Sequence, residues 1–199
     1  WLNHFFNDLG LTIIFFTLIL KIVLFPIEFL SFLEEEKMKR IGPKMKEIFQ
    51  KYKNDLQKQT ELISQIYKQE NYNPFYAIFI QLLPLPIFLG VFFALGVLLK
   101  TPNINLLFLN NIDLASNNIF FILAIILFQG LSLRNIPKEQ KNISLFLFVL
   151  IIFALLKFPA IFSIYWLTNI ILTMISRNLF NKFNKILVNK ILLSNDPRQ

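Results

Sequence analysis

The sequence predicts an all-α polytopic membrane protein: five transmembrane helices, with a charged helical hairpin outside the bilayer. Three observations carry this. The 199 residues are 55% hydrophobic, with 24 Phe and a mean hydropathy of +0.57, too apolar for a soluble domain. Apolar runs recur at about 9–33, 74–99, 119–133, 143–156 and 160–175. Between the first two lies a segment of opposite character, residues 34–72, which holds nine Lys/Arg and seven Asp/Glu. No Cys is present, and His4 is the single His. A disulfide framework, a thiol nucleophile and a His-rich metal centre are therefore excluded, and no metal or cofactor is implied. The formal charge of +8 reads as a topology signal before a nucleic-acid one; no DNA partner is expected. The chain starts at Trp1 rather than Met, so a signal peptide is not judged from this start.

Residues 1–8 are aromatic and carry no Lys or Arg; Trp1, Phe5 and Phe6 suit a membrane interface. The first span, about Leu9–Leu33, places Lys21 near its centre. On insertion scales that costs roughly 2.5–3.5 kcal/mol, so the ammonium is expected to face a partner or a wet cavity. Thr17, Lys21 and Glu28, at i, i+4 and i+11, share one helix face. A structural Lys21–Glu28 contact, or a lysine that snorkels, is the plainer reading. Pro26 has no N–H and is expected to kink this span.

In 34–72, Met38, Ile41, Met45, Ile48 and Tyr52 recur at three- and four-residue steps, as do Leu56, Ile63 and Tyr67 further on. Two amphipathic helices follow, turning at Lys53-Asn54-Asp55, with a break expected at Gly42-Pro43 near the start of the first. The second span opens at Asn73-Pro74 and is bent by Pro84 and Pro86. Residues 100–118 read as a polar connection with an apolar patch at 106–109. The last three runs are short against a hydrocarbon core of roughly 30 Å, which implies a locally thinned bilayer. Lys157-Phe158-Pro159 makes a tight hairpin between the last two, and 177–199 is a basic tail. The organisation expected is thus 1–33 (outer N-terminus and first span), 34–72 (cytoplasmic hairpin), 73–176 (spans two to five) and 177–199 (cytoplasmic tail). Nine Lys/Arg lie in the hairpin, three in the 134–142 loop and five in the tail; the opposite side has only Lys100 and Lys157. Positive-inside counting puts the N-terminus outside and the C-terminus in the cytoplasm.

The ordered motifs resemble the YidC/Oxa1/Alb3 membrane-protein insertases over nearly the whole chain. They are T-L-I-L-K-I-V-L-F-P at Thr17–Pro26, the basic segment Lys37–Lys53, Asn73-Pro74, Pro86-Ile87-Phe88, and Phe158-Pro159 with Tyr165-Trp166 and Asn169. Lys21 stands where members usually carry Arg. The Gly-Cys-x-Pro that commonly follows Asn-Pro is replaced by Tyr76–Ile80, and Pro84 occupies a usual Gln position.

The resemblance implies five spans around a polar, positively charged groove, open to the cytoplasm and the lipid and closed on the outer side, whose positive charge would be Lys21. Its candidates for substrate contact are Lys21, Thr17, Gln129, Tyr165, Trp166 and Asn169, with Pro26, Pro84, Pro86 and Pro159 shaping the helices. Plainer readings stand beside these: Tyr165-Trp166 as an interfacial pair, Gln129 and Asn169 as interhelical glue. The implied activity moves transmembrane segments of newly made proteins from the cytoplasm into the bilayer, as insertase and chaperone, without bond chemistry. Its partners would be nascent membrane proteins and the lipid bilayer. A ribosome contact through the basic tail and a Sec-type translocon are further partners to test. The compact length fits the plasma (inner) membrane of a bacterium. The rival classes are a small transporter or channel and an assembly subunit of a larger membrane complex.

Overall fold

The computed structural model describes residues 6–102, 104–133 and 138–194, with side chains except at 138–143 and 187–194. Trp1, His4, Phe5, Arg134, Asp196 and Arg198 lie outside the described residues, as do the side chains of Lys138, Lys141 and Lys190. Seven helices and one two-stranded ribbon are described: α1 Leu9–Lys51, α2 Leu56–Gln69, α3 Pro74–Leu82, α4 Leu85–Leu98, β1 Leu107–Phe108, β2 Ile112–Asp113, α5 Ile119–Ser132, α6 Lys138–Leu155 and α7 Ala160–Ser194. Among the described residues, three segments are long and apolar enough to cross a membrane: α1, Pro74–Leu98 across α3 and α4, and Ala160–Ile186 of α7. Ile119–Ser132 and Ser144–Leu155 are apolar but shorter.

The first span and the first hairpin helix are one element. At 1.5 Å per residue, the 43 residues of α1 reach about 65 Å, twice a hydrocarbon core. The break expected at Gly42-Pro43 is absent, and α1 also passes through Pro26 as helix. An interior proline costs about 3 kcal/mol, but here packing and hydrogen-bonding need oppose it. Ile41 and Gly42 are buried under α2, and the lipid around Pro26 offers the backbone no partner except the helix itself. The second span does divide. Pro84 and Pro86 supply no N–H, so the ladder stops at Leu83 N–H to Phe79 O (3.0 Å) and restarts at Phe88 N–H to Pro84 O (3.0 Å).

The expected 53–55 turn is present, with Asp55 capping α2 by accepting from Lys58 N–H at 2.9 Å. Glu70, just past α2, accepts from Lys44 Nζ (2.8 Å) and Arg40 Nε (3.2 Å) of α1. The hydrogen bonds from Lys44, then Arg40, hold the Glu70 carboxyl below its usual 4.5. A depressed carboxyl adds stability above its unfolded-state value and loses it as pH falls through the folded-state value. Acidification below about pH 4.5 is therefore expected to speed amide exchange across 56–69. Glu70→Gln should abolish that pH dependence; an unchanged profile in the variant would assign it to other groups.

One end of the bundle is closely packed. Leu9, Ile13, Leu114, Ile125, Ala160 and Ile161 are almost wholly buried there. The 100–118 connection, read in the sequence as polar with an apolar patch at 106–109, carries the β1–β2 ribbon, with Leu107 opposite Asp113 and Phe108 opposite Ile112. Phe108 lies so close to Gly10 that a Cβ at Gly10 would overlap its ring. Segment 114–116 then starts α7: Ala160 N–H donates to Ser116 O (2.7 Å) and Ile161 N–H to Leu114 O (3.0 Å). Backbone carbonyls thus take the place of a capping side chain after Pro159. Asp8 ties this end together, capping α1 at Leu11 N–H (2.9 Å) through Oδ1 and accepting from Leu109 N–H (2.7 Å) through Oδ2. Asp8→Ala is expected to cost about 1–2 kcal/mol, read by unfolding in detergent. Asp8→Asn, which keeps an acceptor for the cap, should cost less.

Candidate functional site

α7 is the element that completes the α1 polar face. Lys21 meets Thr173 and Glu35 meets Arg177, so the two helices run parallel. The last span is not short: α7 continues helical to Ser194, through most of what reads in sequence as a polar tail. The reason is packing. Phe180 is 2% exposed, with Phe25, Phe29 and Phe32 of α1 around it at ring distances of 5.1, 5.1 and 5.5 Å.

Lys21 Nζ donates to a Glu28 carboxylate oxygen and to Thr173 Oγ1 (2.7 Å). The side chains of the ion pair are only 11% and 19% exposed. Glu28 stands two turns further along α1, about 10 Å away, and the two side chains reach towards each other across that interval. The Thr173 hydroxyl in turn donates to Asn169 O at 2.7 Å. Two further turns on, Glu35 accepts from Arg177 Nη2 at 2.8 Å. Lys21, Glu28 and Glu35 thus repeat every seven residues on one stripe of α1, and α7 answers with Thr173 and Arg177 one turn apart. The positive charge that the resemblance implies at Lys21 is met by a carboxylate, and along the stripe two cations stand against two carboxylates.

Three cavities follow this stripe. One of about 100 Å³ is lined by Thr17, Lys21, Glu28, Tyr165 and Asn169, with Pro84 and Phe88 in its wall. The next, about 170 Å³, shares Glu28 and Pro84 with it and adds Glu35, Thr173 and Arg177. A third, about 50 Å³, shares Phe32 and Arg177 with the second and reaches Lys39, Asn178 and Asn181. The series runs from the closely packed end towards the hairpin.

Of the residues singled out in the sequence, Lys21, Thr17, Tyr165 and Asn169 converge on the first cavity, with Pro84 beside them. Thr17 is buried, but its hydroxyl returns to Ile13 O at 2.6 Å. Tyr165 is buried and Trp166 half-buried; the Phe88 ring lies tilted to the first at 5.9 Å and edge-on to the second at 5.2 Å. Trp166 Nε1 is buried with no hydrogen-bond partner among the described residues. Gln129 is half-buried on α5 and lines none of the three cavities. Pro86 begins α4, Pro159 precedes α7, and Pro26 lies within α1. Sequence reasoning missed Glu35, Thr173 and Arg177. The seven-residue spacing from Lys21 through Glu28 to Glu35 was the available signal. Assigning Glu35 to the hairpin and Arg177 to the tail hid it.

Residues 1–187 match the 60Kd inner membrane protein family, which is the YidC/Oxa1 family. The chain belongs to this family. Members similar to it include proteins named Membrane protein insertase YidC from Geobacter sp. (strain M21), 29% identical over 92% of this chain, and from Wolinella succinogenes, 29% over 96%. Another, from Helicobacter pylori, is 30% identical over 92% of the chain. The matches cover 35%, 35% and 34% of those proteins, so the chain spans about a third of their length. With its apolar helices, this YidC/Oxa1-family chain is an all-α, multi-pass membrane protein.

Proposed function

We propose that the chain acts as a membrane-protein insertase and chaperone, passing transmembrane segments of newly made proteins from the cytoplasm into the bilayer. The observation that supports this best is the charged stripe of α1 and α7. It holds Lys21 at mid-span beside a run of cavities that begins at a closely packed end and leads towards the hairpin. The name its relatives carry points the same way.

The physical task is to move a short polar segment across hydrocarbon. Cavities large enough for water shorten the dry path, and the short helices at 119–132 and 144–155 would thin what remains. Lys21 attracts an acidic segment, while the apolar surfaces of α4 and α7 accept the hydrophobic helix that follows it. Thr17, Tyr165 and Asn169 would line the passage. Gln129 and Trp166 would meet the segment outside it, and the four prolines would set the helix shapes. No covalent step is required.

The N-terminus would lie outside and the hairpin and C-terminus in the cytoplasm, by the excess of Lys and Arg on that side. The membrane boundary near residue 33 is then a boundary of solvent rather than of helix. The extension of α7, with Lys182 and Lys185, would offer a basic surface to anionic lipid or ribosomal RNA. A Sec-type translocon would be an optional partner. The membrane would be a bacterial plasma membrane.

The test is insertion of a small single-span protein with an acidic outer segment into liposomes, scored by protease protection. Wild type and Lys21→Arg should insert it, and Lys21→Glu should not. Solute flux without insertion would move the transporter reading ahead; neither activity would favour an assembly subunit.

A further inference from the structure

We propose that Glu28 is a displaceable internal ligand of Lys21, a positioning residue that decides which incoming segments can engage the lysine. The inference rests on the insertase reading and adds to it a determinant of substrate choice. In the structure Lys21 is not a free cation. Its ammonium has three N–H donors; one holds Glu28 and one holds Thr173. The pair is about nine-tenths enclosed on the lysine side, so bulk water does little to screen it. A carboxylate on an incoming segment therefore meets a site already occupied by another carboxylate.

Exchange has a route. The third ammonium donor can receive the incoming carboxylate before Glu28 leaves, so Lys21 need not lose all partners at once. Two carboxylates on one lysine repel each other, which drives one of them off. Glu28 has somewhere to go because it lines both of the larger cavities, and Arg177 lines the second. Arg177 donates to Glu35, and a guanidinium has five N–H donors. A released Glu28 can be met by that cation instead of standing unpaired in a low-dielectric site. A neutral segment offers nothing to exchange and leaves the latch shut. Glu28 would therefore weaken the affinity for acidic leading segments, since only the unlatched fraction of Lys21 is available, and so set how strong a carboxylate ligand must be to engage the lysine.

The experiment uses the full-length protein in lipid nanodiscs and liposomes. The probes are a fluorescent synthetic single-span peptide with two Asp in its leading segment, and a twin with Asn in their place. Glu28→Gln keeps the side chain's shape and removes its charge. If Glu28 competes for Lys21, this variant binds the Asp probe about tenfold more tightly, and the Asn probe with unchanged affinity. Equal affinities in wild type and variant, or equal shifts for both probes, overturn the proposal and leave the pair as a structural contact. Glu28→Asp, one methylene shorter, should shift the Asp probe in the same direction by a smaller factor, and it decides the matter if Glu28→Gln does not fold. If neither variant yields a monodisperse protein, the pair is structural and the proposal fails. Protease protection in the liposomes separates the two claims. Wild type that binds the Asp probe without inserting it rejects the insertase reading, while the affinity ratio still judges Glu28.

Discussion

Lys21→Ala is expected to destabilise the protein by about 3 kcal/mol, because it strands the Glu28 carboxylate in a largely enclosed site. Thr173 would lose the donor to its oxygen as well and keep only its own bond to Asn169 O. Removing both charges, as Lys21→Ala with Glu28→Ala, leaves no orphan and should recover most of that stability, since mutual coupling dominates such a pair. Insertion of the acidic single-span protein should stay lost in the double variant. Unfolding in detergent measures the first effect and protease protection in liposomes the second. Recovery of both stability and insertion would mean the charge is dispensable and that helix shape and thinning carry the process. Failure to recover stability would mean that Lys21 packs with something other than Glu28.

Phe180→Ala is expected to cost about 3–5 kcal/mol, as for truncation of a buried aromatic. Its ring fills the space between Phe25, Phe29 and Phe32 and fastens the extended part of α7 to α1. Leu179, next in the chain but 43% exposed, is the internal control, and Leu179→Ala should cost under about 1 kcal/mol. The Phe180 variant should also loosen the Arg177–Glu35 ion pair, one turn away on α7, and with it the second cavity. Faster amide exchange around residue 177 would report that. Equal costs for the two substitutions would show that α7 beyond residue 176 is held by something other than this cluster.

Much of the molecule was legible because hydrocarbon imposes few solutions. Apolar runs must become helices when lipid offers no hydrogen bonds, so five runs marked the helical segments. Lys53-Asn54-Asp55 and Lys157-Phe158-Pro159 marked turns through local chemistry that needs no distant partner. Pro84 and Pro86 marked a discontinuity for the same reason. Gly42-Pro43 misled because a local breaker was overruled by burial of Ile41 and Gly42 under α2. The 177–199 tail misled because its polar composition hid Phe180, whose pocket is built by α1, more than 140 positions earlier. The 107–113 ribbon escaped because a two-residue strand has almost no periodicity, and its anchor is Asp8 at the far end of the sequence.

By itself, then, the sequence determined the fold class, the helical runs, the charge asymmetry and the lysine that does not belong in lipid, because each follows from solvation and local backbone chemistry. Only the tertiary structure decided that Lys21 is held by Glu28 and Thr173, that Glu35 and Arg177 continue the same stripe, and that Gln129 stays off it. Those outcomes depend on which helices lie side by side and in what register. Parallel packing of α1 on α7 is set by interlocking side chains far apart in the chain, information that no window along one helix contains.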